Sequence, residues 1–242
     1  MSVYANFADF SVPGTYVLNP PNNTTQIKVY LVSAGGGGGG GGGGQSNNVP
    51  RVNNNSGAGG GSGSSGQIGF FIKDNYSSGN ITVTVGSGGT AGNGGNKGSS
   101  GNRTSKKNAS GNSGNSGGDA NVTSVSIGND TTYNLANGKG GAGGGGARYP
   151  GRGKDGLPGT GGKDAGINGL DNVKTVGGEA VYPITTNTVY MNPSSLSPVS
   201  NTGLYPTTDP GKSGAGGYGG SPNAGGNSGT KGNDGFARIY FL

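Results

Sequence analysis

The chain has 242 residues, 61 of them Gly, and contains no Cys, His or Trp. Without Cys there is no disulfide framework and no thiolate metal ligand, and without His or Cys the usual nucleophile–base pairs of catalysis are missing. Sixteen basic against ten acidic residues leave a formal charge of +6, too sparse for the dense Lys/Arg stripe that nucleic acid requires.

In chain order, Met1 to Phe7 lacks the basic and apolar regions of a secretory signal. No run approaches the ~18 apolar residues of a membrane span. Residues 1–34 are expected to form a β-hairpin, its clearest strand being Gln26 to Val32, where Ile27, Val29 and Leu31 alternate with Lys28 and Tyr30. Ten consecutive glycines follow, Gly35 to Gly44. Beyond them glycine recurs every third residue in separate runs. These are Gly57 to Gly69, Gly86 to Gly101, Gly111 to Gly117, Gly138 to Gly144, Gly153 to Gly162, Gly211 to Gly220 and Gly226 to Gly235. Further strands are expected at Gln67 to Lys73, Ile81 to Val85, Val122 to Ile127 and Phe236 to Leu242, the last pairing with the N-terminal hairpin.

A three-residue beat is that of polyproline II, with three residues per turn and about 3.1 Å of rise. Gly at each third position leaves a bare backbone stripe along which neighbouring segments can touch. The predicted fold is therefore irregular and glycine-rich. It is a bundle of stacked polyproline II helices over 35–235, capped by a small antiparallel sheet of N- and C-terminal strands, with almost no α-helix. Collagen shares the beat but wants Pro at roughly 15–20% or more, and only 12 Pro are present. Low hydrophobicity also matches disordered chains; the embedded strands argue against that. Ordered Gly costs roughly 0.5–1 kcal/mol more than Ala. Such a fold therefore depends on hydrogen bonds between segments, since polyproline II has none inside.

Catalytic motifs are absent. Gly-x-Gly-x-x-Gly matches carry no weight within glycine repeats. Asp209 to Ser213 resembles the end of a phosphate-binding loop, but Pro206 stands where its upstream Gly is needed. Asp155, Asp164 and Asp171 lack a recognisable Ca²⁺-ligand spacing. The expectation is a non-enzyme without cofactor or metal. Function is sought instead where the glycine pattern breaks. These insertions are 45–56 with Arg51, 102–115 with Arg103, and 179–210 with Tyr182, Tyr190, Tyr205 and five prolines. Tyr on a Pro-stiffened loop offers an apolar face with a polar tip for recognition. The other reading of 179–210, equally open, is that it wraps the bundle or docks on a neighbouring subunit.

Phe10 to Gly14, then Gln26 to Val32, then the ten-glycine run resemble the glycine-rich domain of phage and other viral structural proteins. Ile81 to Gly89, Gly138 to Gly146 and Gly235 to Tyr240 extend the likeness. That family includes tail-fibre tip adhesins of T-even-like phages, in which polyglycine helices stack into a sandwich and variable loops recognise the host surface. The resemblance implies a single-domain virion protein, made in the host cytoplasm and exposed on the particle. Its partners would be other virion proteins and a host glycan or protein receptor, with homo-oligomers open and with no nucleic-acid or membrane-inserting role. The alternative is a minor capsid, decoration or fibre-assembly component without a receptor role. A second resemblance, to the glycine-triplet bundles of snow flea antifreeze proteins, implies ice binding, although those proteins carry disulfides and this chain has no Cys.

Overall fold

The computed structural model describes residues 6–45, 56–98, 110–128, 131–147 and 210–242. Among them there is no α-helix and there are eight strands: β1 (Asn6–Phe10), β2 (Gly14–Leu18), β3 (Ile27–Val32), β4 (Ile68–Lys73), β5 (Ile81–Val85), β6 (Ser124–Ile127), β7 (Thr131–Asn134) and β8 (Phe236–Phe241). They form two antiparallel four-stranded sheets, in the orders β1-β8-β3-β4 and β2-β5-β6-β7.

The expectation of one small terminal sheet is thereby corrected to two sheets, the second built mostly from mid-chain strands. The expected hairpin over 1–34 is also corrected. β1 pairs with β8 and β2 with β5, so the first two strands diverge into different sheets at Ser11–Pro13. The C-terminal strand does join the N-terminal ones, lying between β1 and β3.

Between the sheets lies the core. Ile27, Val29, Leu31, Phe71, Ala237 and Ile239 come from one sheet, and Ile81, Val83, Val85, Val125, Ile127 and Tyr133 from the other. These are the alternate positions of each strand, as the pleat requires; in the first sheet β3 and β8 are covered on their other face too, where Tyr30, Val32 and Phe236 form a second buried cluster. Phe71 stacks on Tyr133 across the layers with ring centroids 4.5 Å apart.

From this sandwich the glycine segments run on in a different hydrogen-bond pattern. Along Gly35 to Gly44, successive N–H groups donate in rotation to three neighbouring segments at 2.8–3.0 Å. Gly35, Gly38, Gly41 and Gly44 donate to carbonyls of segment 224–233; Gly36, Gly39 and Gly42 donate to 58–64; Gly37, Gly40 and Gly43 donate to 112–118. In each case the acceptor number falls by three as the donor number rises by three, so these neighbours run antiparallel. The carbonyls of the same ten glycines accept, in the same rotation, from 89–98, 141–147 and 214–220. There both numbers rise together, so these three segments run parallel to the axis.

The outer six also bond to one another and close a ring. Segment 57–67 donates to 211–220 and to 136–145; segment 111–121 donates to 138–147 and to 87–96; segment 224–235 donates to 86–95 and to 212–221. Antiparallel and parallel segments thus alternate around the polyglycine axis.

Each axial residue faces a neighbour whichever way its Cα points. A Cβ built on any of Gly35 to Gly44 would lie far inside contact distance of a facing backbone carbonyl. That is why the run is all glycine, whereas an outer segment turns every third residue to the axis and needs Gly there, as at Gly111, Gly114 and Gly117. The pairing also leaves none of these axial N–H and C=O groups orphaned, as burial requires.

Strand order continues ring order. β5, β6 and β7 adjoin the consecutive ring segments 86–98, 111–121 and 136–147, while β8, β3 and β4 adjoin 224–235, the axis and 57–67. Hydroxyls bridge the change of pattern. Ser33 Oγ accepts from Gln67 N–H at 2.6 Å and donates to the Ala136 carbonyl at 2.5 Å, and buried Thr123 Oγ1 accepts from Gly86 N–H at 3.0 Å.

Candidate recognition end of the bundle

One end of the bundle carries the two sheets; at the other end the axis finishes at Gln45. Three connections leave this second end: from Gln45 to Ser56, from Gly98 to Ser110, and from Ala147 toward Pro210 at the sheet end. A fourth link is the tight turn Ser221 to Ala224, where Ala224 N–H donates to the Ser221 carbonyl at 2.9 Å and Asn223 adopts a φ of 64°. Asn tolerates this left-handed conformation better than most residues.

Arg51, Arg103, Tyr182, Tyr190 and Tyr205 all lie outside the described residues. What the structure locates is the described residues that flank them. Arg51 belongs to the connection after Gln45, and Arg103 to the one after Gly98. The expected insertion 102–115 is shorter at its C-terminal end. Gly111, Asn112, Gly114 and Asn115 donate within the ring, so the glycine triplet prevails there over the Asn/Ser-rich composition that suggested a loop.

Gln45 was not singled out by sequence, where it reads as the first loop residue. It is fully buried, and its Oε1 and Nε2 have no hydrogen-bond partner among the described residues. Leaving such a group unsatisfied costs about 1–3 kcal/mol. Its backbone remains part of the lattice, its carbonyl accepting from Asn223 N–H at 2.9 Å. No sequence signal marks this site beyond its being the first side chain after ten glycines.

Along the flanks, charged groups fasten adjacent segments. Asp119 Oδ1 accepts from Gly140 N–H at 2.9 Å and Oδ2 from Lys139 Nζ at 2.9 Å. The Gly140 N–H, followed by the lysine, holds its carboxyl below the usual range. Asp234 Oδ1 accepts from Gly88 N–H and Lys231 Nζ, both at 2.8 Å. Burial is its largest single influence and pushes the carboxyl up, but the Lys231 and Gly88 donors together outweigh it, and the net direction is down. In the sheets, burial alone raises the Tyr133 phenol. Among the described residues no three His, Cys, Asp or Glu side chains gather as a metal site, and no helix is long and apolar enough to cross a membrane.

A chain built on glycine triplets around a polyglycine axis defines a glycine-rich domain by its packing. The family model described as glycine-rich domain matches residues 11–242, and the chain belongs to that family. No curated protein matches the chain.

Proposed function

We propose that the glycine segments are polyproline II helices and that the chain is a virion structural protein presenting loops for attachment to a host surface. The ladder's period of three and the absence of left-handed φ values among Gly35 to Gly44 support the helical reading. The observation that carries the functional reading is polarity: the connections holding Arg51 and Arg103 leave from the end opposite the sheets. A rigid scaffold with variable connections gathered at one end is the arrangement on which recognition residues are commonly found. Its partners would be other virion proteins on one side and a surface glycan or protein receptor on the other. No catalytic role or cofactor is assigned.

The test is binding of the labelled full chain to host cells and immobilised surface glycans, beside variants with 46–55 and 99–109 replaced by Gly/Ser linkers and one lacking 179–210. Loss of saturable binding in a variant whose circular dichroism is unchanged supports attachment and identifies the loop. An intact chain that binds neither cells nor glycans removes the attachment reading.

A coat- or fibre-assembly role is the second reading. It is favoured by the exposed apolar side chains of the first two strands, Phe7 and Val17, and by Val12 between them.

A further inference from the structure

Edge strands present unpaired N–H and C=O groups, and proteins usually blunt them with charge, proline or cover. β2 is the edge of the second sheet, bonded on one side to β5. Within its length it carries neither charge nor proline: Gly14 to Leu18 reads Gly-Thr-Tyr-Val-Leu, and no charged residue occurs between Asp9 and Lys28. Prolines stand only outside it, at Pro13, Pro20 and Pro21. Thr15 and Val17 are exposed on its outer face, Val17 at 61%.

Among the described residues, three of the six exposed large apolar side chains, Phe7, Val12 and Val17, belong to this stretch of chain. β1, the edge of the other sheet, lies on the same flank, where Phe10 meets Tyr16 across the layers at 4.8 Å between ring centroids. The outer face beside β2 is equally uncharged, with Thr82, Thr84, Ser124, Ser126, Thr132 and Asn134 on the neighbouring strands.

We propose that this edge pairs with β2 of a second copy of the chain, joining two four-stranded sheets across a twofold axis. Antiparallel pairing centred on Tyr16 sets Thr15 opposite Val17 of the other copy and Gly14 opposite Leu18. β-Branched partners thereby meet directly, a favourable cross-strand arrangement. The same patch faces itself, as a closed twofold interface demands. Net charge works against self-association, since two chains of +6 repel, and the uncharged strand adds no like-charge contact at the pair itself. The pairing stands apart from the attachment reading and holds whether or not the loops bind a receptor.

The experiment is sedimentation equilibrium of the full chain across a concentration series, beside the double variant T15K/V17K. That variant sets Lys opposite Lys across the proposed pair while altering only exposed side chains. The expected result is a concentration-dependent doubling of mass for the native chain and a monomer for the variant, with equal melting temperatures in dilute solution. Amide hydrogen exchange of the native chain gives a second reading that needs no variant: Gly14 to Leu18 should slow as concentration rises. A native chain that stays monomeric throughout, a variant that dimerises equally well, or exchange at β2 that is independent of concentration overturns the proposal.

Discussion

Arg238 joins the last strand to the first through Asp9, with Nε donating to Oδ1 at 2.5 Å and Nη2 to Oδ2 at 2.6 Å. The guanidinium side chain is 5% exposed and the carboxylate 38%. The Asp9 hydrogen bonds, above all, raise the affinity of Arg238 for its proton, against the opposing effect of burial. Phe7 places its ring 4.7 Å from the guanidinium carbon. Strands from the two ends of the chain are thus fastened by a forked pair that holds β1 in place. Replacing Asp9 by Asn leaves a nearly buried cation short of its counter-charge. Full burial would make that loss 3–5 kcal/mol; with the carboxylate partly solvated, about 2 kcal/mol is expected. Urea denaturation of D9N beside the native chain measures it, and an unchanged midpoint would contradict the role given to the pair.

Close packing, not conformational freedom, dictates the axial glycines, and two substitutions separate these causes. At Gly40 a Cβ would collide with the backbone of Asn93, whereas at Gly59 its nearest neighbour is the Gly217 carbonyl at 3.7 Å. Gly40→Ala is expected to cost at least about 3 kcal/mol, through overpacking and lost lattice bonds. Gly59→Ala should be neutral or stabilise by about 0.4–1 kcal/mol, by restricting the unfolded chain. Melting temperatures of the two variants check the contrast; equal losses would mean that the lattice does not set the glycine requirement.

How far this was legible beforehand differs by element. The triplets at Gly86 to Gly98 or Gly226 to Gly235 announce themselves because each third residue faces a neighbouring backbone, a constraint only glycine meets. β3, β5 and β8 are visible through their apolar alternation or density. β1, β2 and β7 are not, because Asn-Phe-Ala-Asp-Phe, Gly-Thr-Tyr-Val-Leu and Thr-Thr-Tyr-Asn are short and alternate weakly. Nor does the sequence show which segments adjoin. Phase is the same for parallel and antiparallel neighbours, so the ring, and with it the division into two sheets, emerges only in three dimensions. The ten-glycine run held the missing clue, since only an axis surrounded on all sides needs glycine at every position. Of the site, only the flanking residues of the connections are located, and Gln45 carried no signal beyond its place directly after ten glycines.

Acid should loosen the bundle's flanks. The carboxyls of Asp119 and Asp234 lie below their usual range in the folded chain. Their contribution is fully present above the unfolded value of about 3.9 and is lost as pH falls through the lower folded values. The melting temperature should therefore drop as pH falls from about 4 toward 2, and less steeply in D119N and D234N than in the native chain. Equal slopes in all three would contradict the assignment.

The buried amide of Gln45 offers a test in the opposite direction. Exchanging it for Leu removes two unpartnered polar atoms while keeping similar bulk, which should be neutral or stabilise by about 1 kcal/mol. A clear loss of stability in Gln45→Leu, followed by chemical denaturation, would show that the amide is engaged in the folded protein.

Amide hydrogen exchange along Gly35 to Gly44, followed residue by residue by NMR, tests the central claim most directly. An axis bonded on every side should protect all ten glycines about equally, among the slowest amides in the protein. Rapid exchange throughout the run, or protection at only every second residue as on the edge of a sheet, would contradict the ring of segments around a polyglycine axis.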